Sequence, residues 1–209
     1  SWAYTSCDGL TGSPVCGNKV TNFSSTYYGC TNLTGSPVCG DNVENMDGAY
    51  ESCDNLTGSP VCGNNVKSMR YTYLSCANLT GNPVCGNNVT DMEGLFGDCE
   101  SLTELDISSW DTGKVTNMYN MFSGSLLTSI DLSNLDTSNV TNVGRMFQNC
   151  SKLTSIDLSG LDFSKVDSLF LIFSGCESLT ELDLSVFKSN KFTDLEYTFQ
   201  DCKSLTSLD

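Results

Sequence analysis

Apolar positions along this chain alternate between two textures. Leu153, Ile156 and Leu158 suggest a short strand, with Ile156 and Leu158 pointing inward at a spacing of two. Val140, Val143 and Phe147 follow the spacing i, i+3, i+7, which marks one face of a short helix. Val43, Met46 and Tyr50 repeat it. Asp136 and Ser138 stand ahead of the predicted helix, where capping residues belong. The longest strongly apolar run, from Leu169 to Phe173, is far too short to cross a bilayer.

These textures recur at fixed intervals. Cysteines fall at 7, 30, 53, 76 and 99, and a second set at 16, 39, 62 and 85. Both sets step by 23 residues, and the text between them is nearly verbatim, as in Asn32-Leu33-Thr34-Gly35-Ser36-Pro37-Val38-Cys39 and Asn55-Leu56-Thr57-Gly58-Ser59-Pro60-Val61-Cys62. After Cys99 the unit lengthens, and Cys150, Cys176 and Cys202 lie 26 apart. Ser125 takes the cysteine place in one long unit. Residues 1–98 thus form a short-unit region and residues 99–209 a long-unit region of one continuous array. Both ends fall in mid-unit, so the expectation is a piece of a longer array.

Aligned from cysteine to cysteine, Leu33 matches Leu153, Val38 matches Leu158, Val43 matches Val166, Met46 matches Leu169 and Tyr50 matches Phe173. The long unit then has three extra residues after its strand. A strand, a turn, a helical segment and a return make one coil, and stacked coils bury an apolar column that no single coil buries alone. Pro14, Pro37, Pro60 and Pro83 occupy one column, and proline is disfavoured in a central strand. Ser36, Ser59 and Asn82 stand where long units carry Ile or Leu. Both features predict shorter or more irregular strands and a weaker core in the first half.

Composition narrows the function. A formal charge of −15 opposes binding to nucleic acid or anionic lipid. The absence of histidine removes the commonest general base and metal ligand. Neither a cofactor nor a catalytic residue is expected.

The text from Leu127-Thr128-Ser129-Ile130-Asp131-Leu132 through Met146-Phe147-Gln148-Asn149-Cys150 resembles the 26-residue repeat of BspA-type leucine-rich-repeat surface proteins. The 23-residue units are similar to the Treponema-like class of leucine-rich repeats. Ser36, the proline position, and Lys188 in place of the Asp at 111, 136 and 162 depart from the pattern. The resemblance implies bacterial surface proteins, with some relatives in parasitic protists. It implies an extracellular or cell-surface location and adhesion to host matrix proteins, host cells or other microbes. It supplies no catalytic residues.

Several columns are candidate chemistry. The cysteines read either as a disulfide ladder or as buried free thiols. Neighbours at a strand spacing of about 4.8 Å sit wider than a disulfide prefers, which favours thiols. No Cys-x-x-Cys pair supports zinc. Asp106, Asp131, Asp157, Asp183 and Asp209 share one strand position and are the candidate binding residues. Neighbouring carboxylates at about 5 Å repel by roughly 0.8 kcal/mol in water. Either a cation or basic partner offsets that, or hydrogen bonds to residues such as Ser133 and Ser159 do; the second is favoured, because calcium wants six to eight converging oxygens. Sequons at Asn22, Asn32, Asn55, Asn78, Asn88, Asn139 and Asn149 read as glycan acceptors or as by-products of a polar repeat. Trp110 shares a column with Leu135, Leu161 and Phe187, which reads as turn packing rather than a binding anchor.

The expected fold is an α/β repeat solenoid, coiled right-handed, with a parallel sheet on one face and short helices or turns on the other. The expected function is adhesion or protein binding through an extended surface, without membrane insertion. The rival is self-association into a layer or filament; an immune-type receptor fits the architecture without dedicated support.

Overall fold

The computed structural model describes residues 3–187 and 192–208. Trp2, Lys188 and Asp209 lie outside the described residues. Successive units lie side by side, joined by backbone hydrogen bonds between equivalent residues of neighbouring units. Parallel bridges run Asn22–Asn45–Ser68–Asp91–Asn117–Asn142 on one side and Val15–Val38–Val61–Val84 on another. Regular structure among the described residues is sparse. Strands β1 (Glu181–Leu182) and β2 (Ser207–Leu208) pair in parallel, and Ser185–Phe187 is a 3₁₀ turn.

The predicted short helices are replaced by turns. In residues 69–76 the amides alternate in direction. Those of Met69, Tyr71, Tyr73 and Ser75 donate to the next unit, at Asp91, Glu93, Leu95 and Gly97, over 2.7–3.1 Å. Those of Thr72, Leu74 and Cys76 donate to the carbonyl three residues back. Left-handed residues enforce the alternation, because φ > 0 at the third position of a turn flips the central peptide. One left-handed column is Ser25, Gly48, Tyr71, Gly94, Asn120, Arg145, Leu171 and Tyr197. Another, four residues later, includes Ser52, Ser75, Asp98, Gly124, Asn149, Gly175 and Asp201. A side chain there costs about 1–2 kcal/mol, and a bulky one such as Leu171 is uncommon. The rungs between units offset that cost. An Asx or Ser column opens each turn segment: Asn45, Asp91, Asn117, Asn142, Ser168 and Asp194 each accept the amide two residues on. Asp136 closes the preceding turn in the same way, accepting the Ser138 amide at 3.0 Å, while Asn142 opens the segment that carries Val143 and Phe147.

The first-half strand also differs from expectation. Val38 is 41% exposed, whereas its sequence counterpart Leu158 is 3% exposed. Pro37 and Cys39 point inward instead, and Ser36, Ser59 and Asn82 point outward. A slip of one residue exchanges the two faces of a strand. The proline explains why the bridge is isolated. The Val38 amide donates to the Pro14 carbonyl, and the Val38 carbonyl accepts from the Cys16 amide, but Pro37 has no amide to extend the ladder. Even so, the short units keep a bridge in every step of this column. The short-unit strands are thus shorter, as expected: each is a single bridge, whereas among the described long units pairing on this face is carried by the two-residue strands β1 and β2 and by single threonine rungs such as Thr154 to Thr128.

The core is a set of columns. Tyr4, Tyr27, Tyr50, Tyr73, Phe96, Phe122, Phe147, Phe173 and Phe199 stack with nearly parallel planes, their centroids 5.3–6.1 Å apart. Beside them the thiols of Cys30, Cys53, Cys76, Cys99, Cys150, Cys176 and Cys202 donate to the ring residue's carbonyl in the preceding unit. Cys53 reaches Tyr27 at 3.1 Å, Cys99 reaches Tyr73 at 3.2 Å and Cys150 reaches Phe122 at 3.2 Å. All twelve cysteines are free, and all but Cys7 and Cys202 are buried. Trp110 is 5% exposed and stacks on Phe96 while its indole N–H donates to the Pro83 carbonyl, so this column is packing.

Two outcomes follow. Tyr50 Oη is buried beside the Cys39 and Cys62 thiols, with the Cys39 thiol as its only, weak partner among the described residues. Tyr50→Phe is expected to raise stability by about 1 kcal/mol, read by urea titration, because a poorly satisfied buried hydroxyl is removed and the ring kept. Tyr73→Phe, which gives up a contact of Tyr73 Oη with Cys62 at 3.7 Å, gains less. Burial also pushes Cys53, Cys62, Cys99 and Cys150 from 9.0 up to about 12. The folded state then holds protons that the unfolded chain releases above about pH 9, so this stability is complete below that pH and lost as pH rises toward 12. The melting temperature is expected to stay flat from about pH 6 to 8 and fall steeply above 9, with thiolate absorbance appearing in the same transition.

Candidate open-face binding surface

The side of the stack that carries the predicted binding residues is built from short extended segments. In residues 103–107 the side chains of Leu105 and Ile107 are buried, while Thr103, Glu104 and Asp106 face out. The pattern repeats, so like residues align in columns. Asp106, Asp131, Asp157 and Asp183 form one exposed column. Glu104, Ser129, Ser155 and Glu181 form another. Thr11, Thr34, Thr57, Thr80, Thr103, Thr128, Thr154, Thr180 and Thr206 form a third, exposed in every unit. Threonine hydroxyls help hold it: Thr80 donates to the Thr57 carbonyl at 3.2 Å and Thr154 to Thr128 at 3.3 Å.

Each aspartate of the column closes a small turn. One carboxylate oxygen accepts the backbone amide two residues on, Ser108, Ser133, Ser159 or Ser185, at 2.7–2.9 Å. The serine hydroxyl and amide bonds hold Asp106 and Asp131 below the usual carboxylate range, and for Asp157 the amide contributes most. Neighbouring carboxylates push the other way: Asp106 acts on Asp131, and Asp183 and Asp131 act on Asp157. The serines thus take up the compensating role. Asp106, Asp131 and Asp157 remain ionised and exposed, and no ion pair among the described residues includes them. A second such column, Asp111, Asp136 and Asp162, accepts the amides of Gly113, Ser138 and Ser164.

Between the aspartates lie shallow depressions. One of about 460 Å³ is lined by Asn82, Glu104, Leu105, Asp106, Ser129, Ile130 and Asp131. The next, of about 440 Å³, is lined by Ser129, Ile130, Asp131, Ser155, Ile156 and Asp157. Each has an aliphatic floor and a carboxylate on either rim.

The short units present a different face. Val15, Val38, Val61 and Val84 are 74, 41, 40 and 42% exposed and stand in register. The two zones meet at Asn82, whose side-chain oxygen accepts the Asp106 amide at 3.0 Å. Sequence reasoning missed this valine stripe because it placed Val38 inside. The serine and asparagine two residues before each valine, and the proline between them, were the available signal. It also passed over the threonine column, which is legible as a Thr after each Leu of the repeat.

Among the described residues no group of three or more acidic or cysteine side chains is arranged to hold a metal. Several sequon asparagines bond across units: Asn32 donates to the Asp8 carbonyl at 2.7 Å, Asn88 to the Asn64 carbonyl at 2.8 Å and Asn139 to the Gly113 carbonyl at 2.8 Å. These contacts account for the recurrence of asparagine at those positions. No described helix is long and apolar enough to cross a membrane.

A family model described as "Mycoplasma protein of unknown function, DUF285" matches residues 67–180 and 124–208, which together exceed half of the chain. A second model, described as a Kazal-type serine protease inhibitor domain, matches residues 49–75. Those residues amount to about one unit of the stack, with Cys53 and Cys62 as free thiols in separate columns. The curated proteins contain no match. Among solved structures, a leucine-rich repeat protein from Bacteroides ovatus ATCC 8483 is similar at 19% identity over 91% of this chain and 41% of that one, with a TM-score of 0.51. A leucine rich cell surface protein from Faecalibacterium prausnitzii A2-165 is similar at 17% identity over 95% of this chain and 72% of that one, with a TM-score of 0.35. The Bacteroides likeness shows a leucine-rich-repeat fold, of which this chain spans about two fifths of the length.

Asp131→Asn keeps the oxygen that accepts the Ser133 amide and removes the charge, so its melting temperature is expected to match the parent. Asp131→Ala removes the acceptor and is expected to melt about 2 °C lower or more, by calorimetry.

Proposed function

The chain belongs to the family described as Mycoplasma protein of unknown function, DUF285, and from that premise we propose that it is a cell-surface or secreted repeat protein that binds other proteins. The architecture proposed is a right-handed solenoid of BspA-type and Treponema-like leucine-rich repeats. Adhesion to host matrix, host cells or other microbes is the role its surface suits. The observation that carries this reading is the open face, where exposed threonine, aspartate and valine columns repeat from unit to unit. A regular exterior of that kind offers many equivalent contacts, and weak contacts summed over several units give avidity. An enzymatic role is not assigned, since the exposed carboxylates are alike and stand on a shallow face.

The rival reading is self-association into a layer or filament. Light scattering across a concentration series separates the two: growth with concentration favours association, and a constant monomer favours the adhesin.

Beads coated with the 209-residue chain are expected to adhere to epithelial cells and to immobilised matrix proteins well above albumin-coated beads. Adhesion at the albumin level would overturn the proposal.

A further inference from the structure

The open face has an aliphatic zone and an anionic zone in one continuous surface, and that pairing specifies its occupant. Val15, Val38, Val61 and Val84 stay exposed although each sits in a bridged backbone position where a polar residue would serve as well. Beyond Asn82 the same face turns into depressions with Leu105, Ile130 and Ile156 as floor and Asp106, Asp131 and Asp157 as rims. These three carboxylates are ionised, repel their neighbours and have no cationic partner among the described residues. Lysine and arginine side chains match such depressions atom for atom in character, with an apolar stem for the floor and a cationic head for the rims. An anionic surface, whether nucleic acid or acidic lipid, is repelled by the same column.

We infer that this face docks an extended cationic segment of another protein, its lysine or arginine side chains over the Asp106–Asp157 zone and its aliphatic side chains over the Val38–Val84 zone. The inference rests on the protein-binding reading above and names the partner's chemistry. The valines contribute apolar contact that does not depend on salt; the aspartates contribute orientation and a salt-sensitive approach.

The test uses the whole 209-residue chain and a labelled peptide in which lysine alternates with threonine in one half and valine with threonine in the other. Binding is read by fluorescence anisotropy. Asp131→Asn with Asp157→Asn is expected to weaken binding about tenfold and to reduce its salt dependence. Val38→Ser with Val61→Ser is expected to weaken it severalfold and leave the salt dependence intact. All four side chains are exposed, so melting curves should match the parent. Asp54→Asn with Glu100→Gln removes the same charge from exposed positions elsewhere and is expected to leave binding unchanged. A glutamate version of the peptide should not bind. Absence of binding, equal binding of the glutamate peptide, or equal weakening by the Asp54 and Glu100 control overturns the inference. The bead assay with the same variants separates this from the broader reading. Adhesion that ignores the Asp and Val changes leaves protein binding standing and removes this face. Peptide binding without bead adhesion does the reverse.

Discussion

Parallel stacking of one aromatic ring per unit is the constraint on which the rest of the structure depends. From Tyr4 to Phe199 the rings hold a separation of 5.3–6.1 Å with planes nearly parallel. That spacing brings equivalent backbone segments within hydrogen-bond reach, so each turn segment can send alternate amides into its neighbour. The left-handed residues, including the strained Tyr71, Arg145 and Leu171, exist to aim those amides. In the column from Cys30 to Cys202 each thiol lies beside the ring and donates to the ring residue's carbonyl, in addition to the backbone amide that carbonyl accepts.

Short and long units solve the same packing problem with different fillings. In the short units tyrosines face a second thiol column, as where Tyr73 meets Cys62. Phe96, the last ring of the short units, stacks on Trp110, and in the long units Leu135 and Leu161 are buried in the same column, where the second cysteine is absent. Ser125 is the one interruption of the first thiol column, and its hydroxyl lies 3.5 Å from the Cys150 thiol. The outward consequence is functional. Because proline turns the valines out in the short units, one face carries an aliphatic stripe and an acidic one in series.

Much of this was legible in the chain. The cysteine spacing gave the stacking partners, and Val43, Met46 and Tyr50 were correctly placed as core, since a column must be apolar whichever local structure presents it. The local structure itself was misread, because the spacing i, i+3, i+7 suits two consecutive turns as well as a helix. Glycine or asparagine at 48, 94 and 120, and again at 124, 149 and 175, was the signal for left-handed turns. The orientation of Val38 was missed because proline was treated as damage to a strand rather than as a residue that sets which neighbours face inward. The serine partners of the aspartate column were readable from the Asp-x-Ser spacing alone.

The dependence on ring stacking is tested most directly by a double-mutant cycle on Phe122 and Phe147, whose centroids lie 5.6 Å apart, with Tyr50 and Phe147 as the distant pair. Unfolding free energies of the single and double alanine variants are expected to show a coupling of about 0.5–1.5 kcal/mol for the neighbours and none for the distant pair. Strict additivity for Phe122 and Phe147 would contradict the account.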